Sequence, residues 1–203
     1  MDAVNFLFTG VGGQGTVLAG DITAAVGLAA GYDVKKSDIL GLAVRGGAVV
    51  GHVRWGRQVH SPIVPEGCVD FMLAFELLEG LRWLHQVREG GTVLINEQEI
   101  HPVTVSSGHA MYPTGDAVEQ VLRASPCRVH RIPALKMAQT LGNTRTLNVV
   151  LLGALSTLLP VAREIWEQVL GERIPVRYRD LNLRAFHEGR AHLGRDLTPC
   201  GSS

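Results

Sequence analysis

The chain has 203 residues, of which 46% are hydrophobic, and its 19 basic residues balance its 19 acidic ones. A chain of this size and composition fits one α/β domain around a single core. Without a charge excess or a long run of like charges, neither nucleic acid nor an anionic membrane is favoured as a partner, so we expect protein partners. The longest apolar stretch, residues 147–161, contains polar residues and Pro160, which excludes a membrane-spanning helix there.

The hydrophobic pattern predicts strands that alternate with helices. Strands are expected at 4–8, 33–36, 47–55, 58–63, 71–75, 92–96, 103–105 and 128–132, and helices at 16–30, 76–87, 115–124, 143–159, 161–170 and 176–193. This order predicts an α/β fold, a single domain with a mixed, mostly parallel sheet flanked by helices. Its N-terminus is a Rossmann-like β-turn-α unit and its C-terminal third is helical. We place the domain at residues 1–195 and a loose tail at 196–203.

Location and metal binding follow from the N-terminus, the cysteines and the histidines. The sequence enters a strand without a basic, apolar leader, so we expect a cytoplasmic protein. Cys68, Cys127 and Cys200 lie far apart and form no C-x-x-C pair, which excludes a disulfide framework and a thiolate-bound cluster or zinc built by this chain alone. None of the eight histidines lies four residues from another, so we predict no metal site.

A glycine-rich turn at the end of the first strand is the most informative local feature. Gly10, Gly12 and Gly15 have the G-x-G-x-x-G spacing, and a predicted helix follows them. Glycines allow positive φ and a close approach of backbone amides to a ligand, and a helix N-terminus favours an anion. We therefore predict a phosphate site, with the closest backbone approach at Gly12. The alternative is a tight turn whose glycines serve only packing.

A dinucleotide site needs one more residue, an acid at the end of the second strand. Here Asp33 and Val34 run into Lys35 and Lys36, and the next acid is Asp38. The turn alone is weak support for NAD, and an autonomous Rossmann-like nucleotide-binding protein stays as the alternative function.

The second distinctive segment is Arg45-Gly46-Gly47, a cation beside two glycines ahead of a strand. A guanidinium held there could lie over a phosphate or carboxylate while the backbone closes around it. A charged surface turn is the alternative. Catalytic residues stay unknown, because no serine has a G-x-S-x-G context and Cys68 has no base nearby in sequence.

Taken together, these segments resemble the gamma-type domain of 2-oxoacid:ferredoxin oxidoreductases. Within that family the likeness is strongest to the small (beta) subunits of indolepyruvate:ferredoxin oxidoreductases, and it covers about residues 3–193 in the family's order. The residues that carry it are 10–15, 45–47, 49–56, 61–67, 73–82, 112–113, 142–155 and 182–189.

The resemblance implies a subunit that is inactive alone. Enzymes of this kind oxidatively decarboxylate a 2-oxoacid, here indolepyruvate or another arylpyruvate, and release an acyl-CoA. Thiamine diphosphate and [4Fe–4S] clusters belong to the large subunit, which passes electrons to ferredoxin. The implied partners are therefore the large subunit and, through the complex, ferredoxin, with CoA as co-substrate and no cofactor held by this chain alone.

The resemblance also implies where the small subunit binds CoA or borders the shared cleft. The residues so implied are Gly10, Gly12, Gly13, Gln14, Gly15, Arg45, Gly46, Gly47, Asn143 and Asn148. The chain departs from the family just before Arg45. Where members have a histidine and a Ser-Gln pair, this chain has Leu40, Ala43 and Val44, so either the substrate differs or the large subunit supplies those contacts.

Overall fold

A six-stranded sheet organises the structure, a computed structural model that describes residues 3–40 and 47–197. The strands are β1 (Val4–Val11), β2 (Asp33–Leu40), β3 (Ala48–Gly56), β4 (Val69–Ala74), β5 (Val87–Asn96) and β6 (Arg128–Ile132). Their order across the sheet is β2-β3-β1-β4-β5-β6. β1, β4, β5 and β6 are parallel neighbours, whereas β3 runs antiparallel to both β1 and β2. The predicted mixed, mostly parallel sheet is confirmed.

Helices connect the strands and fill the C-terminal third, as predicted. They are α1 (Thr16–Ala29), α2 (Leu77–Trp83), α3 (Val103–Ser106), α4 (Gly115–Ala124), α5 (Ala134–Thr140), α6 (Leu147–Ser156), α7 (Arg163–Arg173) and α8 (Arg179–Leu197). Short 3₁₀ turns follow α2 and precede α6 and α8. In the described part of the chain, no helix is long and apolar enough to cross a membrane.

The core has two halves, one on each face of the sheet. Alternate residues of a strand point to opposite faces. Phe6 and Phe8 accordingly pack with α1 and the C-terminal helices, while Leu7 packs with α2 and α4. Because both faces are covered, the central strand β1 is apolar along most of its length instead of alternating with polar residues.

Helix α6 is the centre of the C-terminal layer. All ten of its residues are buried, which agrees with a sequence that, apart from Asn148 and Ser156, is apolar on every side of the helix. It packs directly on α8 at two glycines. A Cβ on Gly153 would lie 2.0 Å from the carbonyl oxygen of Phe186, and one on Gly189 would lie 1.9 Å from that of Val150. The two backbones are therefore in contact, and no side chain fits between them.

Two predicted strands are wrong. Residues 58–63 form a loop, in which Pro62 has no N–H to donate to a ladder. Side chains hold this loop instead: Asp33 Oδ2 accepts from the Val59 N–H (2.7 Å), and Arg54 Nη1 donates to the Ser61 carbonyl (3.1 Å).

Residues 103–105 belong to the helical turn α3. The Pro102 carbonyl accepts from the N–H groups of Val105 (2.9 Å) and Ser106 (3.0 Å). The two valines of this segment favour a strand, but the segment pairs with no strand of the described sheet. The local bonds to the Pro102 carbonyl therefore decide its structure. Helix α8 continues to Leu197, and the rest of the predicted tail lies outside the described residues. The domain boundary at residue 195 stays a prediction.

The sheet has a crevice at the carboxyl ends of β1 and β4. α1 follows β1 and packs on one face, whereas α2 follows β4 and packs on the other. Neighbouring parallel strands whose following helices leave to opposite faces open a crevice between them, which is where α/β sheets bind ligands. The glycine-rich turn lies at this point.

Candidate functional site

The glycine-rich turn joins β1 to α1 through residues 12–15. Gly13 and Gly15 have φ values of 108° and 79°, which side-chain-bearing residues rarely adopt. Gly15 is the N-cap residue of α1, where no side chain caps the helix and no acidic residue occupies the first turn. The first backbone N–H groups of a helix have no partner within it, so this end of α1 offers donors and partial positive charge to an anion.

The other two glycines of the motif have structural tasks. Gly10 lies beneath the turn, where a Cβ would come within 2.8 Å of both Gln14 Oε1 and Phe75 Cβ. The Gly12 N–H donates to the Gly47 carbonyl at 2.9 Å, which brings Gly47 to the turn. Since this amide is already engaged, Gly13 and the start of α1 are better placed than Gly12 to meet an anion.

Gln14 supports the turn from inside the protein. Its side chain is 9% exposed. Its Oε1 accepts from the Val11 N–H (2.8 Å), and its Nε2 donates to the Phe75 carbonyl (2.8 Å) and to Gln98 Oε1 (3.1 Å). These bonds connect the turn to the segments that follow β4 and β5. Gln14 therefore fixes the turn's shape.

Helix α6 brings the two predicted asparagines to the same place. Asn148 is buried at the start of α6, and its Nδ2 donates to the Gly15 carbonyl at 3.4 Å. A Cβ on Gly15 would lie 2.6 Å from that nitrogen. Asn143 Oδ1 accepts from the Arg145 N–H (3.0 Å) just before α6. The structure thus assembles residues 12–15, 47, 143 and 148 from three distant parts of the sequence. Arg45 and Gly46 lie outside the described residues.

Three clefts surround this assembly. One of about 430 Å³ lies between the turn, Gln98 and the start of α6, and a second of about 450 Å³ lies on the β3 side of the turn. A third, of about 180 Å³, lies between Asn143, Asn148 and the region around Arg173. The exposed side chain of Leu18 borders all three. Polar, cationic and apolar surfaces therefore meet around one helix N-terminus. We call the 430 Å³ space the turn cleft.

The turn cleft is also lined by residues that were not predicted, and the two with long polar side chains are Gln98 and Arg145. Arg145 is exposed and lies immediately before α6. A cation at a helix N-terminus opposes the macrodipole, and this anomaly is a signal that the sequence does contain. Gln98 carries no comparable signal, since its contact with the turn spans 84 residues of sequence.

The carboxylate of Glu76 holds the segment that contains Gln98. Its Oε2 accepts from the Glu79 N–H (2.8 Å) at the start of α2, and its Oε1 accepts from the Ile100 N–H (3.0 Å) and from the Tyr112 hydroxyl (2.8 Å). Burial, together with this bond to Glu76, raises the pKa of Tyr112 well above its usual range, so the phenol stays a donor. Burial also raises the pKa of Glu79.

The chemistry that the turn cleft can supply is binding. Among its described lining residues there is no aspartate, glutamate, histidine, cysteine or lysine. No group of three potential metal ligands occurs among the described residues. Backbone amides, side-chain amides and the Arg145 guanidinium offer hydrogen bonds and positive charge to an anionic ligand, without a general base.

Comparison with known proteins shows the family to which this chain belongs. Residues 5–192 match the model of the pyruvate ferredoxin/flavodoxin oxidoreductase family. The chain belongs to this family. Two similar members are both named indolepyruvate oxidoreductase subunit IorB. The one from Thermococcus kodakarensis is 38% identical over 192 residues, which are 93% of this chain and 95% of that protein. The one from Archaeoglobus fulgidus is 35% identical over 188 residues, 92% and 93% of the two chains.

Solved structures of the oxidoreductase family share the fold. The keto/oxoacid ferredoxin oxidoreductase gamma subunit from Geobacter sulfurreducens aligns with a TM-score of 0.71 and 24% identity, over 95% of this chain and 99% of that one. The 2-oxoglutarate:ferredoxin oxidoreductase from Magnetococcus marinus, solved with 2-oxoglutarate, coenzyme A and succinyl-CoA bound, aligns with a TM-score of 0.77 and 21% identity, over 98% of this chain and 32% of that one. The predicted family, fold and role as an oxidoreductase subunit are confirmed.

The strand order also bears on the dinucleotide alternative. In a dinucleotide-binding fold the second strand lies beside the first, which brings its terminal acid to the ribose. In this oxidoreductase subunit β3 lies between β1 and β2, so the end of β2 is about 9.5 Å from β1 instead of about 4.8 Å. In addition, Lys36 pairs with Asp38. The geometry disfavours ribose recognition by that acid.

Proposed function

We propose that this chain is the small subunit of an arylpyruvate:ferredoxin oxidoreductase, with indolepyruvate as the substrate, and that it acts in the cytoplasm. It completes the active site of a large subunit that holds thiamine diphosphate and [4Fe–4S] clusters and passes electrons to ferredoxin. The product is an acyl-CoA, and the chain is inactive alone. The support for the substrate is the 34–38% identity to four proteins of one name, over nearly the full length of this chain.

One observation carries the assignment of a binding role. The uncapped N-terminus of α1, the exposed Arg145 and the Asn148 amide surround a cleft whose described lining has no acid or base that could transfer a proton at neutral pH. Such a site suits the phosphate groups of CoA, because helix N-termini and guanidinium groups both favour phosphate. The predicted site residues are thus assigned to CoA or to the shared cleft, with Gly13 and Gly15 facing the ligand and Gly10 and Gln14 shaping the turn.

The size of the turn cleft favours a site completed by a partner. Ligand pockets that enclose a drug-sized molecule span roughly 300–1,000 Å³, and this cleft of about 430 Å³ is bordered by exposed side chains such as Leu18 and Arg145. CoA is larger than a typical drug molecule. The small subunit therefore holds part of it, and the large subunit supplies the remaining walls and the reacting groups.

Reconstitution with the large subunit tests this function. The chain alone should show no 2-oxoacid oxidation and no visible absorption from an iron–sulfur cluster. After co-expression with the large subunit, indolepyruvate should drive CoA-dependent reduction of ferredoxin. Pyruvate and 2-oxoglutarate serve as comparison substrates, and a complex that prefers either of them would show that the arylpyruvate assignment is wrong. Activity of the chain alone, or failure of the assembled complex to oxidise any 2-oxoacid, would refute the subunit assignment.

A further inference from the structure

Three side-chain amides, Gln14, Asn96 and Gln98, meet beside the glycine-rich turn, and we call them the amide cluster. An amide side chain has an accepting end and a donating end, and the two look alike by shape alone. Backbone groups remove this ambiguity, because a backbone N–H only donates and a carbonyl only accepts. Each orientation in the amide cluster can therefore be derived from its backbone partner.

Gln14 is fixed at both ends. The Val11 N–H donates to its oxygen at 2.8 Å, and its nitrogen donates to the Phe75 carbonyl at 2.8 Å. A rotation of the amide by 180° would place two donors against each other and two acceptors against each other. Gln14 must therefore present its second N–H to Gln98, at 3.1 Å from Gln98 Oε1.

Asn96 is fixed in the same way. The Leu135 N–H donates to its Oδ1 at 3.2 Å, so its Nδ2 is the end that faces the interior. That nitrogen donates to the Phe75 carbonyl (2.9 Å) and lies 3.4 Å from Gln98 Oε1. Asn96 is fully buried, so bulk solvent does not compete for these bonds.

Two donors thus converge on one oxygen of Gln98. Because Gln14 and Asn96 cannot flip, Gln98 cannot flip either, and its Oε1 must point into the amide cluster. Its backbone is held as well, since the Gln98 carbonyl accepts from the Leu77 N–H at 2.9 Å. Gln98 is half-buried and lines the turn cleft. Its Nε2 is the polar end that the amide cluster does not use.

We propose that Gln98 Nε2 is a fixed hydrogen-bond donor that selects a ligand by requiring an acceptor oxygen at this point of the turn cleft. This inference rests on the proposed function. The acceptor is either a phosphate or amide oxygen of CoA or an oxygen of the 2-oxoacid. A ligand that presents a donor at this point is rejected. Gln98 could accept from it only by rotating its amide, and the rotation would bring Gln98 Nε2 against the two donors of Gln14 and Asn96, which are themselves fixed. The donor needs no reorientation on binding, so little of the binding free energy is lost in ordering it.

Substitution of Gln98 by glutamate isolates this donor. Gln98→Glu keeps an oxygen for the two donors of the amide cluster and replaces only the end that faces the cleft by a second, negatively charged oxygen. Gln98→Met removes the donor without adding charge, and the cluster survives because Gln14 and Asn96 both keep the Phe75 carbonyl. Gln120→Glu, an exposed position on α4, is the matched control for charge.

The measurement is equilibrium binding of CoA and, separately, of indolepyruvate to the assembled two-subunit complex. Loss of a hydrogen bond to a charged or neutral acceptor weakens binding by about 3- to 100-fold. We expect Gln98→Met to weaken one of the two probes by about tenfold and Gln98→Glu to weaken it further. The other probe and the Gln120→Glu complex should be unchanged. Gln98→Glu, which keeps an acceptor for both donors, should retain the wild-type melting temperature, whereas Gln98→Met should melt lower because Gln14 and Asn96 lose that acceptor.

The outcomes separate the inference from the proposed function. Weaker CoA binding assigns the acceptor to CoA, and weaker indolepyruvate binding assigns it to the 2-oxoacid. Wild-type affinity for both probes in folded Gln98→Glu and Gln98→Met complexes overturns the inference, even if the complex oxidises indolepyruvate normally. A wild-type complex that binds a probe through Gln98 but oxidises no 2-oxoacid refutes the proposed function alone. A wild-type complex that binds neither probe overturns both.

Discussion

A methyl group added at Gly15 should cost more stability than the same group added at Gly13, although both residues have positive φ. Gly15 has a φ of 79°, and its Cβ would lie 2.6 Å from Asn148 Nδ2. Gly13 has a φ of 108°, and its Cβ would meet no heavy atom within 4 Å. The two alanine variants therefore share the backbone penalty and differ in the contact with α6.

The magnitudes follow from these two terms. A non-glycine residue at positive φ costs about 1–3 kcal/mol. Gly15→Ala must also displace Asn148, which is 2% exposed and donates to the Gly15 carbonyl. A buried amide that loses its partner costs about 1–3 kcal/mol more. For a chain of this length each kcal/mol lowers the melting temperature by about 2–4 °C, so Gly15→Ala should melt about 2–12 °C below Gly13→Ala.

Urea unfolding of both variants, compared at a common m value, gives the difference directly. A double-mutant cycle with Asn148→Ala adds a second check, since removal of the displaced amide should recover part of the loss in Gly15→Ala but none in Gly13→Ala. Equal stabilities of the two glycine variants, or strictly additive losses in the cycle, would show that the turn and α6 are not in contact as described.

In the assembled complex, Arg145→Ala should raise the KM for CoA by about tenfold or more, since a charge-assisted bond is worth about 1.5–3 kcal/mol. Arg123→Ala, at an exposed position, is the control. Equal KM values for the Arg145→Ala and Arg123→Ala complexes would contradict a phosphate-binding role for Arg145. Gly153→Ala should unfold the chain at a markedly lower urea concentration, because its Cβ would lie 2.0 Å from a backbone carbonyl oxygen of α8. Gly171→Ala, with nothing within 4 Å of its Cβ, should instead raise the free energy of unfolding by about 0.5–1 kcal/mol. Similar losses of stability in the two variants would argue against the contact between α6 and α8. Burial lowers the pKa of His52 below 6.5, so the unfolded chain binds more protons as the pH falls through 6.5, and wild-type stability should drop there by up to about 1.4 kcal/mol per pH unit relative to His52→Gln. Parallel pH profiles of wild type and variant would show that His52 titrates normally in the folded chain.

Local signals in the sequence predicted the elements that local interactions decide. The bounds 115–124 and 128–132 match α4 and β6. The start of α4 is decided locally, because Thr114 caps it by accepting from the Ala117 N–H at 3.3 Å. The glycine spacing predicted the turn between β1 and α1, since positive φ at Gly13 and Gly15 is a property of the residue type.

Non-local pairing decided what the sequence could not predict. The insertion of β3 between β1 and β2 depends on the ladder between β3 and β1, which pairs residues that lie between 37 (Val11 with Ala48) and 51 (Val4 with Trp55) positions apart in sequence, and no residue of β3 carries a signal for it. The task of Gln14 is likewise set by partners at Phe75 and Gln98, so the prediction that it faces a ligand could not be separated from an interior role. The sequence shows that Arg145 is a cation, but it does not show which residues surround it.

The groups that line the turn cleft agree with the proposed division of work between two subunits. Its described polar groups are amides, a hydroxyl and a guanidinium, which keep one protonation state near neutral pH. They can hold a substrate but cannot exchange protons with it. In the proposed complex, the small subunit therefore contributes binding free energy from a part of the substrate that does not react. Such remote binding free energy accelerates a reaction only when it orders or strains the reacting end. If the proposed function holds, a cleft whose described lining transfers no proton can still be essential to turnover, because it would fix where the CoA thiol meets the acyl group on the large subunit.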